Sequence, residues 1–269
     1  MWYYLRRFSL KGSNKMFVDE RQAQILEDLN CKGRVLVKEL SEKFKVSEDL
    51  IRKDLNALEK QGKLKKKYGG AVLIKENVQR KQASQRKNVN LESKKAIARF
   101  ALQQIRDLDI IFLDISTTSI EIARLLVTTK LNITVVTNML EVVNVLSFSQ
   151  LNVIFIGGEF DYGRDGFVGS LTNEIISRFR FDKAFMGAVG IDVTENVVTT
   201  YLASDGQTKK IVLMNTKESY IIAESEKFNQ VGNYQYARVT DFDTIITEKP
   251  LGEALVESLD EYEVKLICE

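Results

Sequence analysis

From Lys94 onward the chain alternates between two hydrophobic periods, and this alternation restricts what it can fold into more than any other feature. A helix-period segment over 94–105 precedes the apolar run Asp109-Ile-Ile-Phe-Leu-Asp114. A helical segment over 119–127, the run Ile133-Thr-Val-Val-Thr137, another helical segment over 139–147 and the run Val153-Ile-Phe-Ile156 follow. Near-continuous apolar strands separated by helices predict a parallel sheet covered on both faces, an α/β domain of Rossmann-like type. Ligands of such sheets sit beyond the C-terminal ends of the strands. Here those ends carry Asp114-Ile115-Ser116-Thr117-Thr118-Ser119, then Thr137-Asn138, then Gly157-Gly158-Glu159. Hydroxyls and backbone N–H groups at a helix N-terminus make a phosphate cradle. The same residue types also cap helices and turn chains, and on these residues alone both readings stay open.

The front of the chain has a different pattern. Asp19 followed by Gln22 has the spacing of a capping box, with Ile25, Leu26 and Leu29 facing inward behind it. A short helix is expected over Val37–Phe44, ending at Lys45-Val46 before Ser47 caps a third helix that runs to about Gln61. In that third helix Ile51, Leu55 and Leu58 share one face, and Glu48, Arg52, Lys53 and Asn56 share the opposite one. Gly62 suits the left-handed residue that ends it. Leu64-Lys65-Lys66-Lys67-Tyr68, Gly69-Gly70 and Ala71-Val72-Leu73-Ile74 read as a two-stranded hairpin turning at the glycine pair. The set is a winged helix-turn-helix, whose third helix enters a DNA major groove while the basic hairpin holds phosphates. Candidate DNA contacts are Ser47, Glu48, Leu50, Arg52 and Lys53 on the helix and Lys65, Lys66, Lys67 and Tyr68 on the wing.

Charge supports that division. Residues 1–95 hold 24 Lys and Arg against 12 Asp and Glu, while the remaining residues hold 15 against 25. A basic front and an acidic rear suit a polyanion binder joined to a separate small-molecule domain. With 269 residues and 44% hydrophobic content the chain can bury proper cores. It contains no histidine, which removes Ser-His and Cys-His nucleophilic pairs and the commonest metal ligand. Two cysteines without CxxC spacing support neither zinc nor a disulfide framework. No cofactor or metal is called for, and the lack of a membrane-length apolar run and the charged Arg6-Arg7 opening place the protein in the cytoplasm.

The run Val46-Ser47-Glu48-Asp49-Leu50-Ile51-Arg52-Lys53-Asp54-Leu55-Asn56-Ala57-Leu58-Glu59, with Tyr68-Gly69-Gly70-Ala71 behind it, resembles the signature of the DeoR-type bacterial repressors of sugar metabolism. The resemblance extends from about Met16 to Glu248 through Asp114 to Leu126, Gly157-Gly158, Phe167-Val168-Gly169 and Phe181 to Ala188. It implies a rear domain similar to ribose-5-phosphate isomerase that senses a phosphorylated sugar through Ser116, Thr117, Thr118 and Ser119. Asp205 and Lys209 fall in the family's E-x-x-x-K stretch and Glu224 to Phe228 in its D-x-S-K-F, so Lys209 and Lys227 are candidates for the sugar or phosphate end. Asp114, Thr137, Asn138, Gly157 and Gly158 complete the candidate effector set. Among the departures from the pattern, Leu50 stands for threonine, Tyr68 for histidine, Ser116 for glycine and Glu224 for aspartate. A Cβ at Ser116 either narrows the space beside the phosphate or changes the loop's φ.

The expected organisation is a DNA-binding domain over 16–75, a polar connector over 76–92 and an effector-sensing domain over 93–269. The expected function is repression by a homodimer or homotetramer that leaves its double-stranded DNA operator when the sugar phosphate binds. The rival is a sugar-phosphate isomerase or transferase with an added DNA-binding domain, for which Glu159 or Asp182 is the candidate base.

Overall fold

The structure, a computed structural model, describes residues 17–72, 76–77, 83–163 and 166–269, which divide into two units, Met1–Ile74 and Lys75–Glu269. Residues 1–15, whose role the sequence leaves open, lie outside the described residues.

In the first unit the apolar spacing builds α1 (Val18–Lys32), α2 (Val37–Phe44) and α3 (Glu48–Lys60) around a core of Ile25, Leu29, Leu40, Ile51, Leu55, Leu58 and Leu64. Each of these side chains contributes roughly 1.5–3 kcal/mol on leaving water, which holds three short helices that would be marginal alone. Strands β1 (Arg34–Leu36), β2 (Lys65–Lys67) and β3 (Gly70–Val72) form an antiparallel sheet in the order β1-β3-β2. β1 has no counterpart in the sequence reading.

Two local expectations are corrected. α1 starts at Val18 behind Phe17, whose N–H donates to Glu20 Oε2 at 3.2 Å, so Asp19 is a first-turn residue favoured by the helix dipole and not the cap. Gln22 reaches across to Asp54 instead, 3.2 Å from Nε2 to Oδ1. The hairpin turns at Tyr68-Gly69, with Gly69 at φ 80° and Gly70 already in β3. Gly70 is needed for a different reason: a Cβ there would lie 2.0 Å from the Val35 carbonyl oxygen, where β1 crosses.

The second unit contains β4 (Glu76–Asn77), α4 (Ala83–Arg86), α5 (Leu91–Leu102), β5 (Ile110–Leu113), α6 (Thr117–Leu126), β6 (Thr134–Thr137), α7 (Leu140–Leu146) and β7 (Asn152–Phe155). Next come β8 (Glu159–Asp161), β9 (Gly166–Val168), α8 (Ser170–Ile176), β10 (Phe181–Gly187), β11 (Gly190–Asp192), β12 (Val197–Thr200) and α9 (Ala203–Met214). It ends with β13 (Thr216–Ile222), β14 (Gln230–Val231), β15 (Tyr234–Ala237), β16 (Thr244–Ile246), α10 (Glu253–Glu261) and β17 (Lys265–Ile267).

Seven parallel strands form the main sheet in the order β17-β16-β13-β10-β5-β6-β7. Successive side chains of a strand point to opposite faces, so each apolar strand supplies two cores. Ile111, Leu113, Val135 and Phe185 pack on one face with residues of α5, α6 and α7. Phe112, Val136, Ala184 and Met186 pack on the other with residues of α8, α9 and α10. The chain runs outward from β5 through β6 to β7, then returns to place β10 on the other side of β5. That reversal is a topological switch point, and it opens a crevice beyond the C-terminal ends of β5 and β10.

Candidate functional sites

The DNA-binding candidates of the first unit lie on α3 and on the hairpin of β2 and β3. Ser47 caps α3, its hydroxyl accepting from Leu50 N at 3.3 Å, which fixes where the helix begins. Glu48, Arg52, Lys53 and Asn56 are exposed and Leu50 is half-buried. Arg52 pairs with Glu48 at 2.6 Å and Asp49 at 2.9 Å. Exposed pairs of this kind contribute about 1 kcal/mol or less, so the guanidinium exchanges readily to a base edge or phosphate. Lys65, Lys66 and Lys67 are all exposed, and strand alternation puts Lys66 on the side opposite its two neighbours. Lys66 is tied to α3, its N–H donating to Glu59 Oε1 at 2.8 Å and its ammonium to Asn56 Oδ1. Tyr68 is fully exposed at the hairpin tip.

Asp54, in the middle of α3, is not exposed with them. It is buried against Arg21 of α1, Oδ2 to Nε 2.6 Å, and joins the two helices.

At the switch point of the second unit the crevice is lined by Ser116, Thr117 and Thr118 from the start of α6, Gly187 and Ala188 after β10, and Tyr201. Lys94, Arg86 and Val89 line it from one side, and Glu224, Glu226, Lys227 and Gln230 from another. Ser116 has extended backbone at φ −142°, so serine in place of glycine introduces no strain there. Its hydroxyl accepts from Ser119 N at 3.0 Å and caps α6. Gly187 lets the strand end approach this loop, since an added Cβ would lie 2.6 Å from Ser116 Cβ. Thus Ser116 narrows the crevice without altering the loop's path.

The other predicted residues have different surroundings. Asp114 is buried, accepting from Gly187 N at 2.9 Å and from the Lys209 ammonium, so it braces β5 against β10. Lys209 is itself 1% exposed and lies between Asp114 and Asp205, which keeps its charge below the crevice floor and not among the lining groups. Thr137 Oγ1 donates to Leu113 O at 2.7 Å, and Asn138 Nδ2 to Phe167 O at 2.7 Å. The Gly157 carbonyl accepts from Thr172 Oγ1 at 2.8 Å. Those loops hold β6 and the β8–β9 hairpin, on the side of β5 away from the switch point, and do not line the crevice. Of the predicted lysines Lys227 lines it, bonded to Gln230 Oε1 at 3.1 Å.

Arg86, Lys94, Gly187, Tyr201 and Gln230 were not foreseen. Lys94 carried a signal: it falls on the buried face of α5 with Ile97, Ala98 and Ala101, a lysine where the apolar stripe should continue. Its ammonium donates to the Arg86 carbonyl at 2.7 Å and to the Val89 carbonyl, and stands 3.5 Å from Glu224 Oε1. Burial pushes its pKa down, opposed by the Glu224 charge. Arg86 and Val89 belong to the stretch read as a connector. That stretch carries β4 and α4 within the second unit.

A winged helix-turn-helix with a basic hairpin, on a chain that also carries a parallel-sheet domain, defines a DNA-binding transcription regulator. Residues 21–77 match the model of the DeoR-like helix-turn-helix domain, and residues 89–249 match that of the DeoR C terminal sensor domain. The chain belongs to the DeoR family, and is a DNA-binding transcriptional regulator of its repressor type. It is 32% identical to an uncharacterized HTH-type transcriptional regulator, YulB, of Bacillus subtilis, over 93% of this chain and 96% of that protein. It is 31% identical to the lactose phosphotransferase system repressor of Lactococcus lactis, over 90% and 95%. With the glycerol-3-phosphate regulon repressor of Escherichia coli it shares 29%, over 92% and 97%. Among solved structures, ribose 5-phosphate isomerase A of Methanocaldococcus jannaschii aligns at 17% identity and a TM-score of 0.39, covering 51% of this chain and 54% of that one. Among the described residues no helix is long and apolar enough to cross a membrane.

Proposed function

We propose that this regulator represses genes of sugar metabolism and leaves its operator when a phosphorylated sugar occupies the crevice between β5 and β10. The observation that carries the reading is the meeting, at one switch point, of the N-terminus of α6 with the side chains of Lys94, Arg86 and Lys227. The first N–H groups of a helix have no partners within it, and they favour an anion both as donors and through the helix dipole. Thr117 and Thr118 add hydroxyls, while Glu224, Tyr201 and Gln230 add partners for sugar hydroxyls. Two of the relatives carry a phosphotransferase system or a phosphate ester in their names, which suits a phosphorylated ligand. The protein would act in the cytoplasm as a homodimer or homotetramer, so that paired recognition helices meet two operator half-sites.

Binding without turnover fits the carboxylates better than catalysis does. Asp182 lies near the opposite end of β10, bonded to Lys217 and Ile110 N, and the Lys217 hydrogen bond holds its carboxyl below the usual range. Glu159 lies in β8 and is not among the lining residues. Neither candidate base reaches a ligand in the crevice.

Thermal unfolding with glucose 6-phosphate, fructose 1-phosphate, ribose 5-phosphate and glycerol 3-phosphate, each beside its unphosphorylated counterpart, tests the reading. A ligand at 100 times its dissociation constant adds about 2.7 kcal/mol of stability. At least one phosphate ester should stabilise the protein and release operator DNA. Equal shifts with and without the phosphate, or no shift with any ester, would remove the crevice as a sugar-phosphate site.

A further inference from the structure

The chain enters its second unit through β4 and residues 83–90, and this entry segment is fastened to the rim of the crevice at two places. β4 pairs in parallel with β14, placing Glu76 beside Gln230 and Asn77 beside Val231. Lys94, 2% exposed, donates to the carbonyls of Arg86 and Val89 and faces the Glu224 carboxylate. An ammonium has three donors, and these three acceptors account for them. Arg86, Val89, Lys94, Glu224 and Gln230 all line the crevice. The groups that would receive an anion are therefore the groups that hold the segment leading from the DNA-binding unit.

We propose that ligand and operator are coupled by competition for Lys94: an anion in the crevice draws the ammonium from the Arg86 and Val89 carbonyls and loosens the entry segment. This rests on the reading of the crevice as an anion site. The ammonium–carbonyl bonds are already charge-assisted on the donor side, and a phosphate adds the attraction between two opposite full charges, which gives the exchange its direction. Val89 lies at the surface, 47% exposed, so water is at hand when its carbonyl is released. Glu224 sets the threshold. Its carboxylate already faces the ammonium and repels a second anion, so the ligand must outcompete it. In the ligand-free protein the latch is closed and the entry segment is held in the arrangement that binds operator.

Amide hydrogen exchange over residues 85–90, measured with and without each of the four esters of the unfolding test and alongside operator affinity, tests the latch. In the wild type the bound ester should speed exchange over 85–90 and weaken operator binding by a factor on the order of 5–150, the range of typical coupling energies. In Lys94→Met exchange there should be fast without ligand, operator affinity already reduced, and the further effect of the ester below about twofold. Glu224→Gln keeps the shape and removes the competing charge, so it should bind the ester more tightly and release operator at lower ester concentration. This arm stands if Lys94→Met does not fold, and unchanged or weaker ester binding by Glu224→Gln overturns the competition. A wild type that binds none of the four esters overturns the crevice reading and the coupling with it. A wild type that binds an ester and releases operator, with exchange over 85–90 unchanged or slower, overturns the latch alone.

Discussion

Replacing Asp54 by alanine should unfold the DNA-binding unit while leaving the sheet unit intact. Asp54 sits among the charged residues of α3, where its neighbours Arg52 and Lys53 face solvent, yet its carboxylate is buried with the Arg21 guanidinium. Side-chain exposure is 5% for Arg21 and 4% for Asp54, and Oδ1 takes a further bond from Gln22 at 3.2 Å. Removing one partner of a buried pair costs about 3–5 kcal/mol, because the charge left behind has been taken from water without compensation. At 0.05–0.15 kcal/mol per residue, a unit of this size has only on the order of 3–8 kcal/mol in total. The variant is thus marginal or unfolded at room temperature. Hydrogen exchange should show protection lost over 18–72 and retained in the β5, β10 and β13 strands, with operator binding lost in parallel. The double variant Arg21→Met/Asp54→Leu replaces the pair by apolar side chains and should recover most of the stability. Asp54→Ala with wild-type protection over 18–72 but no operator binding would show that the carboxylate acts at the DNA and refute its structural role.

Arg52→Ala should weaken specific operator binding by about 1–3 kcal/mol if Arg52 reads a guanine edge, with a smaller loss on random DNA; equal losses on both would mark a phosphate contact. Lys66→Ala and Lys67→Ala should each weaken all sequences alike and reduce the slope of log affinity against log salt by roughly one unit per true phosphate contact, and unchanged slopes in both would take the wing off the DNA. Gly70→Ala should displace β1 from β3, since the new methyl would lie 2.0 Å from Val35 O, and should lower the melting temperature of the first unit; full stability would mean that the strands part without cost. Thr117→Val should fold and bind operator with a blunted effector response, whereas Thr117→Glu should hold operator at any effector concentration because its carboxylate opposes the phosphate. Release of Thr117→Glu at the wild-type ligand concentration would place the sensor elsewhere.

Hydrophobic period is a local property, and what depended on it was legible in the sequence. α2 has the expected boundaries, Ser47 caps α3, and β5, β6 and β7 lie within a residue or two of the apolar runs that announced them. The parallel sheet followed because strands apolar on both faces need helices on both sides. β1 escaped notice because three residues with only Val35 buried are too few to show a period. The helix cap at Asp19 and the turn at Gly69-Gly70 went astray by one or two residues, since several neighbouring residues could serve each role; at the turn the close approach of Val35 to Gly70 selects among them.

Tertiary structure decided which charges line the crevice and which are braces. The family resemblance made Lys209 a candidate ligand group and left Lys94 unremarked, and in the fold it is Lys94 that lines the crevice. Lys209 meets Asp114 from 95 positions away and is sealed beneath the crevice, whereas Lys94 opens onto it. Asp54 finds Arg21 across 33 positions. Thr137, Asn138 and Gly157 end strands as expected, but the strand order sends β6 and β7 away from the switch point, and order across a sheet is not written in any one strand. The sequence by itself determined that there are a basic winged helix-turn-helix and an acidic α/β domain, because both follow from local periodicity and charge, while the sensing role came from the family resemblance. Where an ion finds its partner depends on which distant segments the cores bring together, and only the assembled sheet settles that.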